Sequence, residues 1–166
     1  RDQCYARHAH IIISSGNLAN AQLDEQARIY ADIASFLSKN VSLSKMTDGI
    51  TAVTAPPRDL SLLQLMKDAG ICTVVFNLEA FNPSVFETRC AGKAVIGRTH
   101  YIDALEQAVA VFGWSHAWSN FVLGLEDPRE LLRNCEWLAA RGVTPGANIL
   151  HLDHGAKKEL VPPTST

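Results

Sequence analysis

The feature that most constrains this chain is its alternation of short, β-branched apolar runs with longer amphipathic stretches. His10-Ile11-Ile12-Ile13-Ser14 reads as a buried strand, and Gly16-Asn17 breaks it. Leu23, Ala27, Tyr30, Ala34 and Leu37 then recur at helical spacing, which predicts a helix over about Gln22 to Ser38. Ile50 to Thr54 is a second strand, stopped by Pro56-Pro57. A helix from Leu60 to Ala69 follows, with Asp59 as its cap and Gly70 as its stop. Ile71 to Leu78 is the third strand, and Asn82-Pro83 opens a short helical segment to about Glu87. Gly92 and Gly97 mark a loop before a helix over Thr99 to Phe112, which Gly113 ends. Trp118 to Leu123 is the fourth strand. Asp127-Pro128-Arg129-Glu130 combines a cap, a first-turn proline and a reciprocal partner, and starts a helix that runs to Arg141. Ala147 to Leu150 is the fifth strand.

Strands separated by helices are parallel, and their crossovers are right-handed. The fold class is therefore α/β. Periodicity alone does not separate a doubly wound sheet from part of a (β/α) barrel, but both place a site at the C-terminal ends of the strands. At 166 residues with 47% hydrophobic and 19% charged residues, the chain suits one globular domain. We assign 1–155 to that domain and 156–166 to a loose polar tail. A net charge of −2 argues against nucleic acid, and no apolar run reaches the ~20 residues that span a bilayer. Cys4, Cys72, Cys90 and Cys135 form no C-x-x-C pattern and no disulfide framework, which points to a reducing, cytoplasmic setting.

The strand ends carry the candidate chemistry. Ser14-Ser15-Gly16-Asn17 follows the first strand, where Gly16 admits either a close ligand approach or an ordinary turn. Asn77 and Glu79 flank Leu78 on one face, fit to hold ribose hydroxyls or an amine, or else merely solvated. Asn120 lies on the fourth strand. Arg89, Lys93 and Arg98 could pair with a carboxylate or phosphate, or be solvated charge. His151, Asp153 and His154 are metal-ligand types in a compact cluster, too short to be diagnostic. His8 and His10 repeat the H-x-H pattern of metal hydrolases, but at the wrong end of a strand. Trp114, Trp118 and Trp137 read as packing residues, Cys72 and Cys135 as core, and Cys90 as a loop thiol that could react.

Several of these segments, in order, resemble the radical S-adenosylmethionine (radical SAM) enzymes of the biotin synthase-like branch. They are Asp68-Ala69-Gly70-Ile71-Cys72, Phe76-Asn77-Leu78-Glu79-Ala80-Phe81-Asn82-Pro83, Arg89-Cys90-Ala91-Gly92-Lys93, Gly97-Arg98 with Tyr101, and Asn120 through Glu126. Ile13 to Asn17 is similar to the family's "GGE" strand end. The resemblance covers about residues 10 to 150 and implies a partial parallel (β/α) barrel, about five strands of which are present. It implies a [4Fe–4S] cluster and S-adenosylmethionine, whose reductive cleavage yields a radical that abstracts hydrogen from a small-molecule substrate. Ser14 to Asn17 would meet the methionine amine, Asn77 and Glu79 the ribose or amine, and Arg98 the methionine carboxylate.

This chain departs from the family pattern. The family's first strand and its C-x-x-x-C-x-x-C segment are absent from this chain, Ala91 replaces a proline, and Ser15 and Asn17 replace the usual residues. The expectation is the core of a radical SAM enzyme, inactive as this chain alone. It would self-associate along an unpaired sheet edge. The alternatives are a non-catalytic nucleoside-binding pseudo-enzyme and a metal-dependent barrel hydrolase using His151, Asp153 and His154.

Overall fold

The computed structural model describes residues 10–15, 20–43 and 46–150. Its elements run β1 (Ile11–Ser14), α1 (Leu23–Asn40), β2 (Ile50–Val53), α2 (Leu62–Asp68), β3 (Ile71–Val75), α3 (Pro83–Arg89), α4 (Ala91–Ala94), α5 (Arg98–Phe112), β4 (Ala117–Leu123), α6 (Pro128–Ala139) and β5 (Val143–Ile149). A 3-10 turn, Asn20–Gln22, leads into α1.

All five strands are parallel and lie in the order β1-β2-β3-β4-β5. This order settles what periodicity left open. A doubly wound sheet reverses its strand order at a switch point. Here each crossover steps one strand in the same direction, and right-handed crossovers of that kind carry every helix to one face of the sheet. The burial pattern agrees. Ile13, Ile50, Ala52, Val74, Phe76, Ala117, Ser119, Phe121 and Val143 are buried beneath the helices. The opposite face is open, with Ile12 55% and Trp118 41% exposed. The architecture is that of a barrel segment, helices outside and a bare inner face.

Local signals account for most boundaries. The Asp127 carboxylate accepts from the Arg129 and Glu130 amides at 2.9 and 3.0 Å and starts α6. Glu130 does not act as the reciprocal partner; its carboxylate accepts from the Asn82 side chain at 3.3 Å. Asn82 caps α3 through Ser84 and Val85. Asp59 holds the Ser61 amide and hydroxyl, and α2 begins one residue later.

Three readings are corrected. The third strand stops at Val75, not Leu78, because Glu79 takes a left-handed backbone (φ 66°) and rejoins the sheet only as a single bridge to Phe121. The fifth strand starts at Val143, four residues earlier than its apolar run suggests. It carries Pro145 and Gly146, which a strand accepts where it is not flanked on both sides. The loop read between Gly92 and Gly97 contains the short helix α4.

Candidate functional site at the strand ends

Leu78 is buried, which anchors the segment after β3 while Asn77 and Glu79 stay half-exposed on either side of it. The Asn77 Oδ1 accepts from the Asn120 backbone N and the Asn120 Nδ2, both at 3.1 Å. This bond ties the end of β3 to the middle of β4. The Glu79 carboxylate pairs with Lys93 Nζ at 2.6 Å, and the same ammonium donates to the Asn77 carbonyl at 2.6 Å. Asn77, Glu79, Lys93 and Asn120 thus form one bonded network at the C-terminal edge of the sheet. Three of the four are predicted site residues. The fourth, Lys93, is neither solvated nor ready for an anion: it is committed to Glu79.

The left-handed turn at Glu79 makes this geometry. Its N–H donates to the Asn120 carbonyl at 2.9 Å and its carbonyl accepts from Val122 at 2.8 Å, so the residue is locked against β4 despite its strained φ. Glu126 holds the next residues. Its two carboxylate oxygens accept from the Phe81 and Asn82 amides at 2.9 and 2.6 Å. The sequence placed Glu126 at the end of the fourth strand, and within the resemblance, and gave no hint of this role.

Opposite Asn120 on β5 stands Gly146. A Cβ there would lie 2.1 Å from the Asn120 Oδ1, so the carboxamide has its place only because that residue is glycine. Beyond the network is a cavity of about 360 Å³, lined among others by Glu79, Arg89, Cys90, Lys93, Val122 and Leu150. Burial, opposed by the Lys93 charge, pushes the Cys90 thiol above its ordinary pKa, and this disfavours the thiolate form.

At the end of β1, Ser14 is exposed, and the Ser15 hydroxyl accepts from the Gln26 side-chain amide and from the Tyr30 hydroxyl at 2.9 Å. The Gln26 carbonyl oxygen is buried with no hydrogen-bond partner among the described residues. Gly16 and Asn17 lie outside the described residues, as do His8, His151, Asp153, His154 and the tail.

Arg98 stands apart. Its Nε donates to the Phe81 carbonyl at 2.5 Å, its guanidinium lies 4.5 Å from the Phe81 ring centroid, and it lines a different cavity with Pro83, Glu87 and Thr99. Three packing assignments are also corrected. Cys72 and Trp118 sit on the open inner face of the sheet rather than in the core, because the bare face alternates with the helix-covered one along each strand. Trp114 is likewise largely exposed, whereas Trp137 packs edge-on against Phe81 at 5.8 Å. Cys135 is half-buried on α6.

Among the described residues no group of three or more His, Cys, Asp or Glu is placed to hold a metal ion. Cys72, Cys90 and Cys135 lie on separate elements and supply no ligand set for an iron–sulfur cluster. No described helix is long and apolar enough to cross a membrane.

Comparison with known proteins gives a consistent picture. No family model matches the chain. It is 31% identical over 116 residues to the bacteriochlorophyllide c C-7(1)-hydroxylase of Chlorobaculum limnaeum, a match covering 69% of this chain and 29% of that protein. Among solved structures it is similar to HydG, a maturase of the [FeFe]-hydrogenase, with a TM-score of 0.62 and 13% identity over 87% of this chain and 33% of that one. HydG from Carboxydothermus hydrogenoformans gives a TM-score of 0.61 with 18% identity, over 96% of this chain and 35% of that one. The chain therefore spans about a third or less of the length of each relative.

Proposed function

Because the chain belongs to the radical SAM superfamily, we propose that the C-terminal edge of its sheet binds S-adenosylmethionine. The observation that carries this reading is the bonded network of Asn77, Glu79, Lys93 and Asn120 in the mouth of a parallel barrel segment. A ribose diol needs acceptors and an amide, which Glu79 and Asn77 offer. Lys93 fixes the Glu79 carboxylate so that it meets a diol in one orientation. The methionine ammonium needs acceptors, and the exposed Ser14 hydroxyl at the end of β1 is one. The donor set thus fits the cofactor. Arg98 is the family-implied partner of the methionine carboxylate, and would have to leave the Phe81 carbonyl to serve it.

When bound, S-adenosylmethionine supplies a sulfonium whose one-electron cleavage drives hydrogen abstraction from a substrate in this superfamily. The part played by these residues is to bind and orient. The described residues do not fit a [4Fe–4S] cluster.

Equilibrium dialysis with labelled S-adenosylmethionine tests the proposal. The chain should bind it, and Asn77→Ala and Glu79→Gln should each weaken binding about tenfold, a loss of roughly 1.4 kcal/mol. Binding that is absent, or that both variants leave untouched, would sink the reading.

A further inference from the structure

The open inner face of the sheet is not bare surface alone. It walls a cavity of about 600 Å³ that runs from the N-terminal ends of the strands up to Asn120. Cavities of that size suit a small organic molecule. Ile12, Leu43, Met46, Val53, Val75 and Trp118 supply its apolar walls. Thr51, Thr73, His116 and Asn120 supply hydrogen-bonding groups. Asp48 is the carboxylate of its described lining and His10 and His116 are its imidazoles; that lining includes no lysine or arginine.

Two features show that the walls are set in advance. The Trp118 Nε1 donates to the Ser115 carbonyl at 2.7 Å, which pins one edge of the indole while its ring stays exposed. Ser115 takes a left-handed backbone (φ 66°) to present that carbonyl, and its N–H is held by Gly142 at 2.9 Å. Deeper in, Thr73 Oγ1 and His116 Nδ1 meet at 3.1 Å, which fixes the imidazole plane. At the other end, Asn120 belongs both to this cavity and to the edge network, through its bonds to Asn77.

We infer that this cavity receives an uncharged, largely apolar, ring-bearing molecule, stacked on Trp118 and hydrogen-bonded near Thr73 and His116. The lining favours this class on charge grounds. A phosphate or carboxylate taken into an apolar cavity without a cation would carry an uncompensated desolvation cost, and Asp48 would repel it. A flat apolar body, by contrast, gains from the fixed indole face. That the occupant is the substrate of the edge site rests on the S-adenosylmethionine reading, since Asn120 would then bring the two ligands together.

The test uses 1-pyrenemethanol as an uncharged ring probe and 1-pyrenesulfonate as its anionic counterpart, titrated against the chain by fluorescence. The alcohol should bind once per chain and at least tenfold tighter than the sulfonate. Trp118→Ala should weaken the alcohol at least tenfold. Thr51→Arg should raise the affinity for the sulfonate above that of the unsubstituted chain. Phe36→Ser, on the exposed face of α1, should change neither. Equal affinities for the two probes, no effect of Trp118→Ala with the fold intact by circular dichroism, or loss of binding in Phe36→Ser would overturn the inference. So would a dimer in sedimentation that Trp118→Ala dissociates, since a second copy would then fill the cavity. S-adenosylmethionine binding in the same samples separates the two claims. If the alcohol binds with the expected preferences and the cofactor does not, the substrate assignment falls with the edge reading.

Discussion

Gly146→Ala is a small change whose effect should appear in ligand binding and hardly at all in stability. The added methyl would stand 2.1 Å from the Asn120 Oδ1 and 3.2 Å from its Cγ. The carboxamide must retreat by at least about 1 Å to reach van der Waals separation. Its Nδ2 is 3.1 Å from Asn77 Oδ1, so a displacement of that size breaks the bond. A neutral, half-buried hydrogen bond contributes about 1 kcal/mol. Against this, Gly146 is not in the left-handed region, and replacing such a glycine by alanine stabilises by about 0.4–1 kcal/mol through the unfolded chain. The two effects nearly cancel, and thermal unfolding should report a net change under about 1 kcal/mol. Calorimetry should nevertheless show S-adenosylmethionine bound more weakly, by up to about tenfold, because Asn77 loses one of its two bonds to Asn120 and keeps only the backbone one. In an Asn120→Ala background the clash has no target, and Gly146→Ala should then have little further effect on binding. Equal losses in both backgrounds, or none in the first, would refute the argument that Gly146 exists to seat Asn120.

Further predictions follow from other contacts. Arg58 bonds Asn20 and the Ile96 and Val95 carbonyls, at 2.7 Å to Ile96, joining three separate loops. Arg58→Met should lower stability by about 1–2 kcal/mol in chemical denaturation, with the circular-dichroism spectrum retained. Tyr101 is buried edge-on against Phe86, and burial raises its hydroxyl pKa far above the ordinary value of 10.0. The folded state keeps that proton while the unfolded chain releases it. Stability should therefore be full below about pH 10 and fall as pH rises above it, and Tyr101→Phe should blunt that fall. Cys72 is exposed, whereas burial raises the Cys90 and Cys135 pKa values. Iodoacetamide at pH 8 should label Cys72 before Cys90 and Cys135 by mass spectrometry; faster labelling of Cys90 would contradict the geometry.

The parallel α/β character and the helix frames were legible because apolar spacing and caps such as Asp127 act locally. The boundaries that failed depend on partners distant in sequence. Pro145 and Gly146 look like a turn, yet β4 recruits them into a strand. Phe76-Asn77-Leu78 looks like more of β3, yet the Glu79 backbone turns out of register to bridge Phe121. At the site, Asn77, Glu79 and Asn120 were legible from their places at strand ends. The Lys93 partnership, the Glu126 clamp and the inward Trp118 were not, since each arises where the chain returns after tens of residues or from which face of a strand the helices cover. Arg98 reads as a ligand partner from its place after the third strand and from the family resemblance; its bond to the Phe81 carbonyl, 17 residues away, is not legible in the sequence.

The strand order β1 to β5 has a consequence for how this molecule comes to exist. Each strand pairs with the one made just before it. No strand pair within the sheet must wait for a distant part of the chain, so the loops closed during folding stay short for a parallel fold. On a ribosome, the growing sheet always presents one edge, and the next strand to emerge is the one that fits it. Assembly can then proceed at the pace of translation, each βα unit completing the template for its successor.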